Sequence, residues 1–327
     1  MPKIKLATKK PIYDVKSLGL TKSAIETLLE CPEKFKLTYV DMLAPDRPIG
    51  SALLFGNIVH RAIELALDNG MMQANTADEA ESHMLYALKL TEEEDFSCED
   101  SVIKSTEYEE SFQECLGSAY AVMPVYARYW FDSGDKNINW IGLEQEFDLD
   151  FDNYKLRGKM DGLYEVNNSV WLFETKTKGH IDEKLMDTLS YELQVMLYIM
   201  CAEKFYKRSI SGVCYNVIRR PQLRMRKNES FKEFISRISG DVKDRPDFYF
   251  MRFQVSISEK DKEEWKRGFD RLMKAVLMHI DNNLYYRNSN ACISKYGACQ
   301  YLNFCTGIAT STYGRRSSLF PELKGGG

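Results

Sequence analysis

Residues 156–178 constrain the fold more than any other part of the sequence. Two runs, LRGKMDGLYEV (156–166) and VWLFETKTKG (170–179), are apolar or alternating and rich in β-branched and aromatic residues, which predicts two neighbouring strands. Asn167 and Asn168 lie between the runs, and asparagine tolerates the left-handed backbone that a tight hairpin requires. The sequence therefore predicts a β-hairpin here.

The predicted hairpin carries charged residues among apolar ones. Asp161 is on the first strand, and Glu174 and Lys176 are on the second. Because strand side chains repeat every second residue, Glu174 and Lys176 should point to the same face. Charged groups beside an apolar run such as 170–173 are costly to desolvate and are rarely kept for stability. We therefore expect them to be functional.

This trio suits metal-assisted hydrolysis of a phosphodiester. Carboxylate oxygens of Asp161 and Glu174 are ligands that Mg²⁺ or Mn²⁺ accepts, with water completing the shell. A bound metal lowers the pKa of water and neutralises charge on the phosphate, while Lys176 can orient or deprotonate that water. The alternative is a surface hairpin with a weak Glu–Lys ion pair. The apolar residues 170–173 argue against it.

The hairpin belongs to a longer pattern. In the predicted helix LSYELQVMLY (189–198), Gln194 and Tyr198 are one turn apart, where both could contact a nucleic-acid backbone. The motifs G-x-x-D (158–161), E-x-K (174–176) and Q-x-x-x-Y (194–198) together resemble the PD-(D/E)XK nucleases of the RecB type.

The resemblance implies an α/β fold, with a central mixed β-sheet flanked by helices in a restriction-endonuclease-like core. It implies one nuclease domain over residues 1–327, with a helical insertion at 70–135 and a C-terminal cluster lobe. The implied function is a Mg²⁺- or Mn²⁺-dependent DNA exonuclease acting on single-stranded ends in recombination, repair, phage replication or CRISPR adaptation. A non-catalytic iron–sulphur DNA-binding subunit of a larger complex is the alternative. The implied metal ligands are His60, Asp161, Glu174 and Thr175.

His60 lies on a predicted amphipathic helix at 52–68. A lone histidine on a helix is more often structural than a ligand. However, Gly56-x-x-x-His60 matches the first motif of the family, which implies that His60 reaches the metal or its water. Glycine one turn earlier would allow a close approach of backbone or substrate.

Four cysteines form a second candidate site. Cys292, Cys299 and Cys305 lie close together in the sequence, which in a reducing compartment indicates metal binding. The resemblance pairs this trio with Cys31, so that residues 284–310 and Cys31 bind a cluster. Four thiolates could hold zinc or a [4Fe-4S] cluster, and the resemblance to iron–sulphur RecB-type nucleases favours iron. Such a site would staple distant parts of the chain together.

The densest basic run follows a predicted strand at 212–220. Arginine forks suit phosphate oxygens, and clustered cations release counterions from nucleic acid. A solvated loop is the simpler interpretation of a charge run. We predict phosphate contact by Arg219, Arg220, Arg224, Arg226 and Lys227.

The remaining pattern predicts mostly scaffold. A strand at 139–151 carries Glu144 and Glu146, either of which could reach the metal site, and the sequence does not decide between them. Further predictions are helices at 21–43 broken at Cys31-Pro32, a largely helical stretch at 75–133 with an acidic loop, a strand at 247–257, and a helix capped by Ser258.

Charge and hydropathy limit the partners. The formal net charge of −4 gives no global nucleic-acid signal, so DNA contact must come from a local basic surface. No apolar run approaches the roughly 20 residues that span a bilayer, and the N-terminus lacks the apolar core of a signal peptide. We expect a cytoplasmic protein without membrane contact. No G-x4-GK[ST] loop is present, so a helicase, annealing or CRISPR-adaptation partner would be another chain.

Overall fold

The computed structural model describes residues 12–44, 49–94, 106–181, 192–294, 297–308, 313–321 and 323. The helices are α1 (Val15–Leu18), α2 (Lys22–Glu30), α3 (Pro32–Phe35), α4 (Ser51–Asp68), α5 (Ala77–Glu92), α6 (Thr106–Asp132), α7 (Leu193–Tyr206), α8 (Phe231–Asp244), α9 (Pro246–Tyr249), α10 (Glu259–Asp281) and α11 (Leu302–Thr306). The strands are β1 (Leu43–Ala44), β2 (Asn139–Asp150), β3 (Lys155–Val166), β4 (Ser169–Lys178), β5 (Ile210–Arg219), β6 (Phe250–Ser256), β7 (Ile293–Ser294), β8 (Gly297–Ala298) and β9 (Gly314–Arg315).

A mixed sheet with strand order β2-β3-β4-β5-β6 forms the centre of the described structure. β4 and β5 are parallel, and the other neighbours are antiparallel. The predicted hairpin is confirmed as β3 and β4. Its turn uses Asn167 and Asn168 with φ of 49° and 61°, the left-handed backbone for which asparagine is suited.

Helices cover both faces of the sheet. One apolar cluster packs α2, α3, α7 and α10 against the sheet, and a second packs α4, α5, α6 and α8 against β5 and β6 through Ile218 and Phe250. Burial on both sides explains why β4 is apolar at the adjacent positions Leu172 and Phe173, whose side chains point to opposite faces. The predicted α/β class, a central mixed sheet flanked by helices, is confirmed.

Local signals define several helix ends as predicted. The Thr21 side chain accepts a hydrogen bond from the Ala24 N–H at 3.2 Å, so α2 begins at Lys22. The helix ends at Glu30, and Pro32 starts α3 in the first turn, where proline loses no hydrogen bond. Ser258 and Asp261 form a reciprocal capping box at the start of α10.

The predicted strand at 247–257 begins too early. Residues Pro246–Tyr249 form the short helix α9, and β6 begins at Phe250. The physical reason is that proline at the first helical position fixes a helical φ and needs no N–H partner. Similarly, the helix predicted from residue 189 begins at Leu193, and residues 182–191 lie outside the described structure.

The segment 70–135 is helical where it is described, since it contains α5 and α6. Its predicted acidic loop falls largely in 95–105, outside the described residues. That this segment is an insertion in a single domain stays a prediction. Among the described helices, none combines the length and the apolar character needed to cross a bilayer.

Candidate active site

The site begins where the β3–β4 ladder ends. The last backbone pair before it is Gly162 with Phe173. At the next step the Thr175 N–H donates to Asp161 Oδ2 at 2.7 Å, so a side-chain carboxylate replaces a backbone acceptor. Asp161 is thereby fixed against the edge of β4, beside Glu174.

Glu174, Lys176 and Gln194 form a closed triangle of polar contacts. Lys176 Nζ lies 3.0 Å from Glu174 Oε1 and 2.8 Å from Gln194 Oε1, and Gln194 Nε2 donates to Glu174 Oε1 at 2.6 Å. Glu192, one residue before α7, lies 3.2 Å from Lys176. The ion pair agrees with the prediction that Glu174 and Lys176 share a face. Gln194 orients both partners at once.

Burial makes the carboxylates of this site unusually costly to ionise. The side chains of Glu174 and Asp161 are 1% and 12% exposed. Burial raises the pKa of Glu174, and the nearby Asp161 charge raises it further while Lys176 opposes the shift. Burial likewise raises the pKa of Asp161, against the hydrogen bond from Thr175. Within the part of the chain that the structure describes, Glu174 Oε2 has no hydrogen-bond partner.

Lys176 behaves in the opposite way. Burial disfavours its charged form, but Glu174 and Glu192 outweigh this effect and raise the pKa of Lys176 above its ordinary value. The amine is therefore a fixed positive charge at neutral pH.

His60 reaches the site from α4. Its Nδ1 lies 3.7 Å from Asp161 Oδ2. A Cβ at Gly56 would stand 3.1 Å from Thr177 Oγ1, so glycine lets α4 approach β4 closely enough to deliver His60 one turn later. Desolvation by the surrounding protein lowers the pKa of His60, although its side chain is 38% exposed. The imidazole is therefore neutral near pH 7 and able to act as a ligand.

Tyr198 lies in the core, 8% exposed, with its ring 5.7 Å from that of Phe147. A Cβ at Gly158 would come within 2.6 Å of Phe147 and 3.3 Å of Tyr198. The glycine of G-x-x-D and the tyrosine of Q-x-x-x-Y thus pack together beneath the site. A contact between Tyr198 and nucleic acid stays a prediction.

The structure distinguishes the two glutamates of β2. Glu144 lines a narrow cavity of about 50 Å³ together with Asp161 and Thr175, whereas Glu146 is not among its lining residues. Burial and the Asp161 charge raise the pKa of Glu144 to about 8. Sequence reasoning missed Lys159, which lies 3.0 Å from Glu144 and 3.2 Å from Glu64. Sequence spacing could have indicated both residues, because Glu64 is one helical turn after His60 and Lys159 is two residues before Asp161 on the same strand.

The predicted basic run divides into two parts. Arg219 stacks 4.0 Å from the Phe248 ring centre, and Arg220 donates to Ser51 Oγ at 3.0 Å, so both have structural contacts at the end of β5. The other three are exposed on the loop that follows: Arg224, Arg226 and Lys227. Phosphate contact by any of the five stays a prediction.

The four predicted cluster cysteines are free thiols, each partly exposed. The Asn288 N–H approaches Cys31 Sγ at 3.4 Å, and Cys292 Sγ lies 3.8 Å from the Asn288 carbonyl. The Cys299 N–H donates to the Cys292 carbonyl at 2.8 Å. Burial raises the pKa of Cys305, and Cys299 and Cys31 are close enough to contribute. Even so, no group of three or more His, Cys, Asp or Glu side chains in the described residues is arranged to hold a metal ion.

A buried carboxylate pair and a lysine lie together at one end of a mixed sheet, an arrangement that suits metal-assisted hydrolysis of a phosphodiester. The chain belongs to the PD-(D/E)XK nuclease superfamily, whose family model matches residues 20–306, and it is therefore a nuclease. Among solved structures, it is similar to a provisionally assigned exonuclease from Eubacterium rectale, at 11% identity and a TM-score of 0.47, over 93% of this chain and 92% of that chain. No curated protein matches the sequence.

Proposed function

We propose that the protein is a Mg²⁺- or Mn²⁺-dependent deoxyribonuclease that degrades single-stranded DNA from an end. The observation that carries the proposal is the buried Glu174 Oε2, which has no hydrogen-bond partner among the described residues. An ionised oxygen in that position is costly unless a cation or donor compensates it. A hard divalent cation shared with Asp161 would supply that compensation.

The donors near this oxygen are of the type that such a cation accepts, although no three of them are arranged around a common point in the described structure. Asp161 and Glu174 offer carboxylate oxygens, neutral His60 offers a ring nitrogen, and Thr175 directly follows Glu174 in the chain. Glu174 Oε1 is already bonded to Gln194 and Lys176, so Oε2 is the oxygen left for the cation. Few protein ligands suffice, because Mg²⁺ keeps several of its waters.

The bound cation would lower the pKa of an attacking water and neutralise charge on the scissile phosphate. Lys176 is held between Glu174, Glu192 and Gln194, and its raised pKa keeps it protonated. It therefore orients the water and stabilises developing oxygen charge, rather than taking the proton. Gln194 fixes the relative positions of Glu174 and Lys176, and the neutral ring of His60 completes the site beside Asp161.

The depth of the site supports a single strand as substrate. Lys176 is 13% exposed and Glu174 is 1% exposed, and helices α4 and α6 form part of the wall around Asp161. A thin, flexible strand can enter such a recess more readily than a duplex. Cleavage from an end follows from the resemblance to RecB-type exonucleases. The exposed Arg224, Arg226 and Lys227 would contact the DNA backbone outside the recess.

We further propose that Cys31, Cys292, Cys299 and Cys305 hold a [4Fe-4S] cluster, with zinc as the alternative metal. The contacts of Asn288 with Cys31 and Cys292 support this, because they join the early and late cysteines. The thiols do not form a ready site for one ion, as described above. Anaerobically purified protein should contain about four iron atoms, and Cys299→Ser should lose the iron and its visible absorbance. Unchanged metal content in that variant would refute this ligand set.

The test of the main proposal is cleavage of end-labelled DNA, single- and double-stranded, with Mn²⁺, Mg²⁺ or EDTA. We expect metal-dependent degradation that favours the single strand and yields a ladder from one end. Internal cuts of circular single-stranded DNA would contradict the exonuclease assignment. DNA binding without cleavage in either metal would indicate a non-catalytic subunit of a larger complex instead.

A further inference from the structure

A row of polar side chains crosses three strands beside the candidate active site. Thr175 on β4 is in register with Asn216 on β5, which is in register with Arg252 on β6. Asn216 Nδ2 donates to Thr175 Oγ1 at 3.1 Å, and Arg252 Nε donates to Asn216 Oδ1 at 3.0 Å. We call these three residues the polar ladder.

The polar ladder connects the β3–β4 hairpin with the helical segment at residues 70–135. At its inner end, the Thr175 N–H donates to Asp161 Oδ2, and Thr175 stands between Glu174 and Lys176. At its outer end, Arg252 Nη2 donates to Asp135 Oδ2 at 2.9 Å and to the Tyr126 hydroxyl at 3.1 Å. The Arg252 guanidinium also lies 3.8 Å from the centre of the Trp130 ring.

The buried polar side chains of this ladder cost free energy that an apolar sheet interior would not. Asn216 is 0% exposed and Thr175 is 2% exposed. Buried polar groups cost free energy unless each is bonded, and apolar residues of similar size often serve stability as well or better. Pinning α6 to the sheet would explain Arg252 with Tyr126 and Asp135. It does not explain why the bonds continue through Asn216 to Thr175.

We propose that Asn216 and Arg252 are positioning residues for the hydrolytic reaction. They hold Thr175, and through its N–H they hold Asp161, in the geometry that binds the divalent cation. The inference rests on the proposed metal-dependent function and adds two residues that the sequence motifs do not contain.

The ladder acts by restricting β4. With Oγ1 bonded to Asn216, Thr175 keeps one side-chain rotamer, and its backbone N–H stays directed at one oxygen of Asp161. Glu174 and Lys176, as its chain neighbours, keep their position relative to Asp161 for the same reason. Loss of a hydrogen bond that holds a metal ligand in position typically lowers metal affinity or activity by about 10–100-fold.

The test is Mn²⁺ binding to the full chain without DNA, measured by calorimetry, in Asn216→Leu. Leucine keeps the branching at Cγ but bonds to neither neighbour, so we expect the Mn²⁺ Kd to rise by about 10–100-fold. We also expect kcat on DNA to fall at saturating Mn²⁺ with little change in KM. In Asn216→Asp the carboxylate can accept from both Arg252 and the Thr175 hydroxyl, which should restore most of the affinity.

The matched control is Gln254→Leu on β6, which loses a 2.8 Å hydrogen bond to the Tyr164 hydroxyl. Gln254 makes no described contact with the site residues, so its Mn²⁺ Kd should equal that of the wild type. If Asn216→Leu does not fold, Asn216→Ala beside Asn216→Asp asks the same question. Of these two, only the alanine variant should lose most of the affinity.

Wild-type Mn²⁺ affinity in folded Asn216→Leu, or in Asn216→Ala, would overturn the inference and leave the proposed function standing. Absence of Mn²⁺ binding in the wild type itself would overturn both. The two failures are therefore distinguishable in one titration series.

Discussion

Lys176 and Lys262 are both nearly buried, and each lies close to two glutamates. Lys176 lies between Glu174 and Glu192, and Lys262 lies 2.6 Å from Glu203 and 2.8 Å from Glu259. Their side chains are 13% and 9% exposed. By composition the two clusters are alike.

The two clusters differ in the solvent exposure of their glutamates. Glu203 and Glu259 are 29% and 73% exposed, so water can satisfy the oxygens that Lys262 leaves. Glu174 is 1% exposed, and its Oε2 has no partner among the described residues. The Lys262 cluster is complete as a tie between α7 and α10. The Lys176 cluster leaves one buried carboxylate oxygen without a partner among the described residues, and this is the oxygen that the proposed cation would compensate.

The largest expected effect is on DNA cleavage, which should depend on Lys176 and not on Lys262. Lys176→Ala should lower kcat for DNA cleavage by about 10²–10³-fold or more, because it removes a preorganised positive charge from the reacting phosphate. Lys262→Ala should cleave DNA like the wild type and lose only stability, roughly 1–3 kcal/mol. Gel-based cleavage rates and urea unfolding check the pair. Equal losses of cleavage in both variants would mean that the lysines act through stability.

The glutamates should respond in opposite directions. Glu174→Gln removes a buried charge whose desolvation outweighs its pairing with Lys176, as the raised pKa of Glu174 indicates, so in EDTA we expect unchanged or higher stability, by up to about 1–3 kcal/mol, together with loss of cleavage. Glu203→Gln should weaken the Lys262 tie, lower the stability and leave cleavage intact. Thermal unfolding in EDTA measures both. A marked loss of stability in Glu174→Gln would show that its carboxylate is structural.

Stability in EDTA should also depend on pH through Glu174. Because its pKa is raised in the folded chain, the folded state holds the proton more tightly than the unfolded state does. The free energy of unfolding should therefore fall as pH rises from about 4.3, the ordinary value, through the raised pKa. Asp161 adds in the same direction. Glu174→Gln should flatten the contribution of this group and Glu203→Gln should not; the same pH dependence of stability in the wild type and Glu174→Gln would contradict this expectation.

The smallest expected effect concerns a charge outside both clusters. Arg224→Ala should weaken DNA binding modestly for every sequence, and the slope of log K against log salt should decrease by about one if Arg224 contacts one phosphate. Arg208→Ala removes an exposed arginine paired with Glu165 and serves as the control. Fluorescence anisotropy at several salt concentrations distinguishes them. An unchanged slope in Arg224→Ala would exclude that contact.

What the sequence predicts is local or periodic. The β3–β4 hairpin follows from alternation and from two asparagines in the turn, and the Glu174–Lys176 contact follows from their spacing on one strand. The approach of His60 to Asp161 is less obvious, but Gly56 one turn earlier marks it.

What the sequence does not predict depends on distant strands or broken periodicity. Glu144 has φ of 47° and lies between two register positions, so alternation along β2 could not separate it from Glu146. Arg252 and Asn216 meet Thr175 through pairing of β5 and β6, for which no short motif exists. Tyr198 packs on Phe147, because Gly158 leaves the space, and helical spacing alone could not show that.

The role of Glu174 in holding the metal is tested most simply by a calorimetric Mn²⁺ titration of the DNA-free protein. The titration compares the wild type, Glu174→Gln and Glu203→Gln. We expect saturable Mn²⁺ binding in the wild type and in Glu203→Gln, with loss of that binding in Glu174→Gln. Equal Mn²⁺ binding in all three proteins would contradict this expectation, because the buried Glu174 oxygen would then have no part in holding the metal.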